Sequence, residues 1–148
     1  MESLENISGI SETDSLETMM LALMIVDIDK FKNVNDTYGH EAGDAAIRRT
    51  AAALTECFRS DDYIIRYGGD EFVVIMVDIE RDRLELIRKK VGHMNDLLQN
   101  PEPGQPAFSV SAGMAYSDKG YTKNLFSEAD RALYRVKENG RCGCEIYG

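Results

Sequence analysis

The chain is expected to fold as an α+β domain, an antiparallel sheet of ferredoxin-like type flanked by helices. Three observations predict this. Apolar runs of strand length alternate with stripes of helical period, in the order strand, helix, strand, strand, helix, strand, helix, strand. The second and third strands face each other across Arg66-Tyr67-Gly68-Gly69-Asp70-Glu71-Phe72, a hairpin signal. That order is two split β-α-β units back to back, which sets the first two strands parallel with the third between them.

Residues 1–18 are polar and acidic and read as a flexible leader, with a short helix over 11–18 as the alternative; the domain is expected over 19–148. Met19 to Val26 is an apolar strand that delivers Asp27-Ile28-Asp29-Lys30 to its end. Asn33 to Gly39 reads as a loop. A helix starts between Asp36 and Asp44 and carries Ile47, Ala51, Leu54 and Phe58 as one stripe. Arg59 to Asp62 ends it and leads into Tyr63-Ile64-Ile65, the turn, and the strand Phe72 to Val77.

Arg81 to Leu98 is a second helix, with Leu84, Ile87, Val91, Met94 and Leu98 facing the core. Asn100 to Pro106, holding three prolines and a glycine, is a loop. Phe108 to Tyr116 alternates as a strand, and Gly113 within it marks a bulge or a close approach. Thr122 to Asn139 is a third helix on Leu125, Ala129, Leu133 and Val136, ended by Asn139-Gly140. Cys144 to Tyr147 is expected as a short edge strand.

A length of 148 residues suits one domain with one core, and 43% hydrophobic with 29% charged residues is a soluble globular composition. Seventeen Lys and Arg against twenty-six Asp and Glu give a net charge of −9, which repels nucleic acid but not a small nucleotide bound through metal. Glu2 and Glu5 stand where a secretory signal carries Lys or Arg, and Met19 to Val26 is too short to cross a bilayer, so no targeting or membrane segment is expected. Cys57, Cys142 and Cys144 lack the spacing of a zinc site and read as reduced thiols of a cytoplasmic protein.

The turn carries the chemistry. Two central glycines permit positive φ and leave backbone N–H groups open to a phosphate or ribose, while Asp70 and Glu71 offer the hard oxygens that Mg²⁺ takes. Taken alone, the same residues are also good turn formers with solvated acids. The end of the first strand shifts the balance between these readings. If that strand lies antiparallel to the one starting at Glu71, Asp27 and Asp70 meet at one sheet edge, the layout of a nucleotidyl transferase.

Several motifs in order then resemble one family. Asp27-Ile-Asp-Lys-Phe-Lys-Asn-Val-Asn-Asp-Thr-Tyr-Gly-His-Glu-Ala-Gly-Asp44, Arg59-Ser-Asp-Asp62, Arg66-Tyr-Gly-Gly-Asp-Glu-Phe72, and Ala129-Asp-Arg-Ala-Leu-Tyr134 with Lys137 and Gly140-Arg141 are similar to a GGDEF domain. That is the diguanylate cyclase family, with a nucleotidyl-cyclase-like sheet. The resemblance runs from about Leu21 to Arg141. The family's usual first helix and its Asp-x-Leu-Thr-Gly-Leu-x-Asn-Arg segment have no counterpart here, Asp14-Ser15-Leu16 being only a faint echo.

The resemblance implies Mg²⁺, with Mn²⁺ as an alternative, on Asp27, the Ile28 carbonyl, Asp70 and Glu71. Asp70 also helps take the proton of the attacking 3′-hydroxyl, and Asp29 shares the parity of Asp27 without a firm role. It implies GTP contacts from Asn35, His40 and Asp44, of which Asn35 and Asp44 read guanine, and from Gly68 and Gly69. Helix capping is the competing role for Asn35 and Asp44. Lys32, Lys137 and Arg141 match basic positions near the triphosphate, against plain surface charge. Arg59 and Asp62 match a product-binding Arg-x-x-Asp pair that binds cyclic di-GMP, against a helix-end charge pattern.

The expected function is condensation of two GTP into cyclic di-GMP by a homodimer, with a sensory domain upstream of the chain. A non-catalytic GTP or cyclic di-GMP receptor is the second reading, and a structural dimerisation module the third.

Overall fold

The computed structural model describes residues 20–148, so the leader over 1–18 and its short helix lie outside the described residues. Five strands form one sheet: β1 (Leu21–Ile28), β2 (Tyr63–Arg66), β3 (Glu71–Val77), β4 (Val110–Ser117) and β5 (Gly143–Ile146), in the order β2-β3-β1-β4-β5. β1 is central and buried at every position, which explains its apolar run from Leu21 to Val26 in place of alternation. It pairs antiparallel with β3, from Leu21 opposite Val77 to Asp27 opposite Glu71, and with β4 on its other side.

β2 runs antiparallel to β3, so β1 and β2 are parallel with β3 between them, as the element order predicts. The expected all-antiparallel sheet is corrected at one edge. β5 pairs parallel with β4, making the sheet mixed, because a helix crosses between them and returns the chain to the same end.

Helices cover both faces. On one lie α1 (Phe31–Tyr38), α2 (His40–Cys57) and α3 (Leu84–Gln99), the last preceded by a single 3-10 turn; on the other lies α4 (Asn124–Glu138). Met24, Val26, Val74, Met76 and Met114 pack with Ala46, Leu54, Val91 and Met94 in the larger core. Leu23, Ile25, Val73 and Ile75 pack with Leu125, Ala129 and Leu133 in the smaller one.

Three local expectations change. The loop read over 33–39 is mostly the helix α1: Phe31 and Val34 stand one turn apart and bury against α2, and Lys30 makes the sharp entry with φ 52. The first strand runs two residues further than expected, so Asp27 is its penultimate residue and still laddered. Gly113 marks a close approach and no bulge, since the β1–β4 register is continuous through it. A Cβ there would lie 2.2 Å from the Leu133 nitrogen and 2.3 Å from the Ala129 oxygen. α4 ends at Asn139 as expected, with Gly140 at φ 105 and the Arg141 N–H donating to the Val136 oxygen at 2.8 Å.

Candidate active site

At the end of β1 the strand order brings three acids to one edge of the sheet. Asp27 faces Glu71 directly across the ladder, and the Ile28 N–H donates to the Asp70 carbonyl at 3.1 Å, which ties the turn to the strand end. The Asp70 carboxyl lies close enough to Asp27 to push the Asp27 carboxyl up. On the strand parity of Asp27 the neighbouring residues are those of the smaller core, so its side chain points to the face covered by α4. From α4, Lys137 donates to Asp27 Oδ2.

The electrostatics follow from this crowding. Burial, more than any neighbour, pushes the Asp27 carboxyl up to about 6; Asp70 adds to the rise and Lys137 opposes it. Burial likewise raises Glu71, with the Asp27 charge next in importance. Burial alone would lower the Lys137 ammonium, yet its hydrogen bond to Asp27 and the surrounding carboxylates leave it raised.

Among the described residues no group of three or more His, Cys, Asp or Glu side chains is placed to hold a metal ion by itself. Mg²⁺ does not demand one, because it is held by one or two carboxylates while water and substrate phosphate complete its shell. Asp27 and Asp70 fit that pattern. Asp27 Oδ1 is buried without a hydrogen-bond partner, an arrangement that costs about 1–3 kcal/mol unless something else is bound there.

Asp29 has a different task. Ser109 Oγ and Ser111 Oγ donate to its two oxygens at 2.7 and 2.5 Å, and the Cys142 N–H donates to it at 3.1 Å. Its carboxylate therefore gathers β1, β4 and the turn before β5, and it is not available to a ligand.

The Gly-Gly turn differs from the expected tight hairpin. Neither Gly68 nor Gly69 has positive φ. The loop from Tyr67 to Asp70 is instead closed by the Tyr67 and Gly68 N–H groups, both donating to the Glu71 oxygen at 2.9 and 3.3 Å. Arg66 clamps it from outside, with Nε to the Gly68 oxygen at 3.3 Å and Nη2 to the Gly69 oxygen at 2.8 Å. A Cβ at Gly69 would meet nothing within 4 Å and one at Gly68 only the Glu71 Cβ at 3.8 Å. No described part of the chain requires glycine at either position, so the bare backbone faces open space where a ligand can approach.

Asn35 is half-buried on α1, and His40 and Asp44 are exposed at the start of α2. The capping alternative is removed: the residue before each helix is Lys30 and Gly39, neither making a side-chain cap, and Asp44 lies inside α2. Lys32 and Arg141 are exposed, Lys32 in the first turn of α1 and Arg141 just beyond α4 with φ 67.

Arg59 and Asp62 sit at the other end of β3, about 20 Å from Asp70 at 3.4 Å per residue. Asp62 Oδ2 accepts the Arg59 N–H at 3.0 Å and Oδ1 the Val77 N–H at 3.3 Å, and its side chain is 3% exposed against 53% for Arg59. Arg59 Nη2 donates to the Val77 oxygen and to Asp62 Oδ1. A groove of about 260 Å³ beside them is lined also by Arg83 and Lys90.

Sequence reasoning missed the Lys137–Asp27 pair, the serines that hold Asp29, and the Arg66 clamp. It missed the Tyr67 ring too, which packs on Phe126 of α4 with centroids 5.3 Å apart. Period-2 alternation over Ser109 and Ser111, facing the parity of Asp29, was the one available signal.

A sequence model of the family described as "Diguanylate cyclase, GGDEF domain" matches residues 7–142. Diguanylate cyclase DosC of Escherichia coli K12 is 36% identical over 131 residues, covering 86% of this chain and 28% of that protein. Diguanylate cyclase A of Treponema denticola is 35% identical over 125 residues, covering 82% of this chain and 33% of that protein. The chain thus spans about a third or less of these relatives. Among solved structures, the GGDEF domain of DgcB from Caulobacter crescentus in complex with c-di-GMP superposes with a TM-score of 0.80 at 26% identity, covering 97% of this chain and 85% of that one. Diguanylate cyclase SiaD from Pseudomonas aeruginosa, in complex with its activator SiaC, superposes with a TM-score of 0.82 at 27% identity, covering 97% and 56%. Among the described residues no helix is long and apolar enough to cross a membrane.

Proposed function

This chain belongs to the GGDEF domain family, and we propose that it is a diguanylate cyclase that condenses two GTP into cyclic di-GMP and two pyrophosphates. The observation that carries the reading is the meeting of Asp27 and Asp70, with Asp27 Oδ1 buried and unpartnered, beside a turn of bare glycine backbone. A dimerisation module has no use for an orphaned, charge-stressed carboxylate at that place; a receptor would keep it to bind GTP through metal, and the similarity to diguanylate cyclases is what favours turnover over that reading.

Asp27, the Ile28 carbonyl and Asp70 would hold Mg²⁺ or Mn²⁺, with Glu71 adjoining. When bound, the metal supplies Lewis-acid stabilisation of charge on the phosphates. The open Gly68–Gly69 backbone lets the α-phosphate come close. Asp70 accepts the proton of the incoming 3′-hydroxyl, whose oxygen forms the new bond to the α-phosphorus as the bond to pyrophosphate breaks. Lys137, held at Asp27 without nucleotide, is within reach of the triphosphate once metal takes the carboxylate; Lys32 and Arg141 add cationic charge farther out. Asn35 and Asp44 read guanine, with His40 beside them.

The product has two-fold symmetry, so each 3′-hydroxyl attacks the GTP of the facing copy and the active species is a homodimer. Arg59 and Asp62 bind cyclic di-GMP as a feedback ligand. An upstream sensory domain sets the dimer, and the domain works in the cytoplasm, where GTP is present and its three free cysteines stay reduced.

Incubation of the purified chain with GTP and Mg²⁺ tests the reading. Cyclic di-GMP and two equivalents of pyrophosphate are expected, with no product from ATP. Guanine-selective binding without product would favour the receptor.

A further inference from the structure

Gly43 lies inside α2 and is buried, yet its backbone is not among those with positive φ. Glycine in a helix interior is worse than alanine by about 1 kcal/mol, so the position gives up helix stability without a conformational need for it. Space is the remaining reason, and the structure shows what fills it. A Cβ on Gly43 would lie 1.8 Å from Asn35 Oδ1 and 2.8 Å from Asn35 Cγ, with the Phe31 Cζ at 3.3 Å. The Asn35 amide therefore rests on the bare backbone of α2 beside the Phe31 ring.

The backbone under this contact is fixed from both sides. The Gly39 N–H donates to the Asn35 oxygen at 2.8 Å, and the Gly43 N–H donates to the Gly39 oxygen at 3.2 Å, so α1 and α2 meet at a set angle around the contact. The terminal torsion of asparagine is otherwise broad. Among the described residues its side-chain amide makes no hydrogen bond that would fix it. Packing against Gly43 is what selects its orientation.

We infer that Gly43 is a specificity-positioning residue: the space left by its missing side chain seats the Asn35 amide in the orientation that reads guanine. This rests on the reading of Asn35 given above. Adding one methyl does not have to break the fold, because the atom it displaces is the free end of a side chain. The displaced amide then faces the base wrongly, and a site built to hydrogen-bond a base loses affinity when its polar groups are left unpaired.

The test uses the whole chain, the non-reactive analogue of GTP with a methylene between the α- and β-phosphates, and its adenine counterpart. Gly43→Ala is expected to weaken the guanine analogue about tenfold or more. Affinity for the adenine analogue should stay unchanged, the melting temperature should not fall, and the Asn35 side-chain amide resonance should shift. In an Asn35→Ala background, adding Gly43→Ala should cost nothing further. Unchanged guanine affinity, an equal loss for both bases, or an additional loss in the Asn35→Ala background overturns the proposal. An unmoved Asn35 resonance overturns the seat itself. A parent chain without guanine preference while that resonance does move overturns the guanine role through the functional reading and leaves the seat established, so the two failures are told apart.

Discussion

Lys137 donates to Oδ2 of Asp27, joining the last turn of α4 to the penultimate residue of the central strand across 110 positions of sequence. The pair half-neutralises the carboxylate that would hold metal, while the other oxygen of Asp27 is left without a partner. In the absence of metal, the ammonium is the local counter-charge to three acids.

Asp70→Asn should keep the fold and abolish turnover. The amide retains the shape but neither the charge nor the basic oxygen. A loss of at least about 3 kcal/mol in the barrier, a hundredfold or more, is expected by comparison with removal of one transition-state stabilising group. Pyrophosphate release, with circular dichroism as the check on folding, measures it; near-parental turnover would remove Asp70 from the chemistry.

The metal-free chain should lose stability as pH rises from about 4 to about 6. Asp27 sits near 6 when folded and near 3.8 as a free side chain, so across that window the folded state binds the extra proton and stability falls with pH. The change is on the order of 3 kcal/mol. Thermal melts from pH 4 to 7 should show the fall in the parent and a flatter profile in Asp27→Asn. Mg²⁺ at pH 7 should restore the parent alone, because metal and proton compete for one carboxylate.

Gly113→Ala should destabilise the domain by about 1–3 kcal/mol, the range for forcing a methyl into a filled site. Unlike the contact at Gly43, the neighbours here are backbone atoms of Ala129 and Leu133, which move only if α4 moves. Urea unfolding measures the loss. Because α4 also carries Lys137, the pH dependence attributed to Asp27 should change in the same variant.

Arg59→Ala and Asp62→Ala should separate. Arg59 is exposed, and its loss should weaken cyclic di-GMP binding about tenfold or more and relieve product inhibition with initial velocity intact. Asp62 is buried and accepts two backbone N–H groups, so its removal should cost about 1–3 kcal/mol of stability as well. Titration calorimetry and melting curves on both variants decide it; equal cyclic di-GMP affinity in Arg59→Ala and the parent would end the regulatory role.

Much of this arrangement was legible in the sequence because it depends on strand order. Once β3 lies between β1 and β2, Asp27 and Asp70 meet whatever the chain does elsewhere. α1 was not legible: Asn33, Asn35, Asp36 and Thr37 favour loops locally, and only Phe31 and Val34 argue for a turn of helix. The turn glycines misled for a related reason. Gly-Gly between β-runs signals positive φ, and the Arg66 side chain, which holds a wider loop instead, bonds carbonyls in a way that no periodicity reports. The same holds for Lys137, whose helical stripe gives its face but not the strand residue it reaches.

The burial of β1 between two neighbours and two helical faces bears on the order in which the molecule comes apart. A strand hydrogen-bonded on both sides exchanges its amide protons with solvent only when the whole domain opens, whereas edges and surface helices exchange through smaller excursions. Asp27 rides on the former. The nearby Gly68–Gly69 loop and the surface helix α1 belong to the latter, and brief local opening there would admit the nucleotide of the proposed reaction or discharge its product. Deuterium uptake should accordingly be slowest at Leu23 to Val26 and fast through Lys30 to Gly39. Each loosening of the rim leaves one carboxylate fixed as the datum to which the others return.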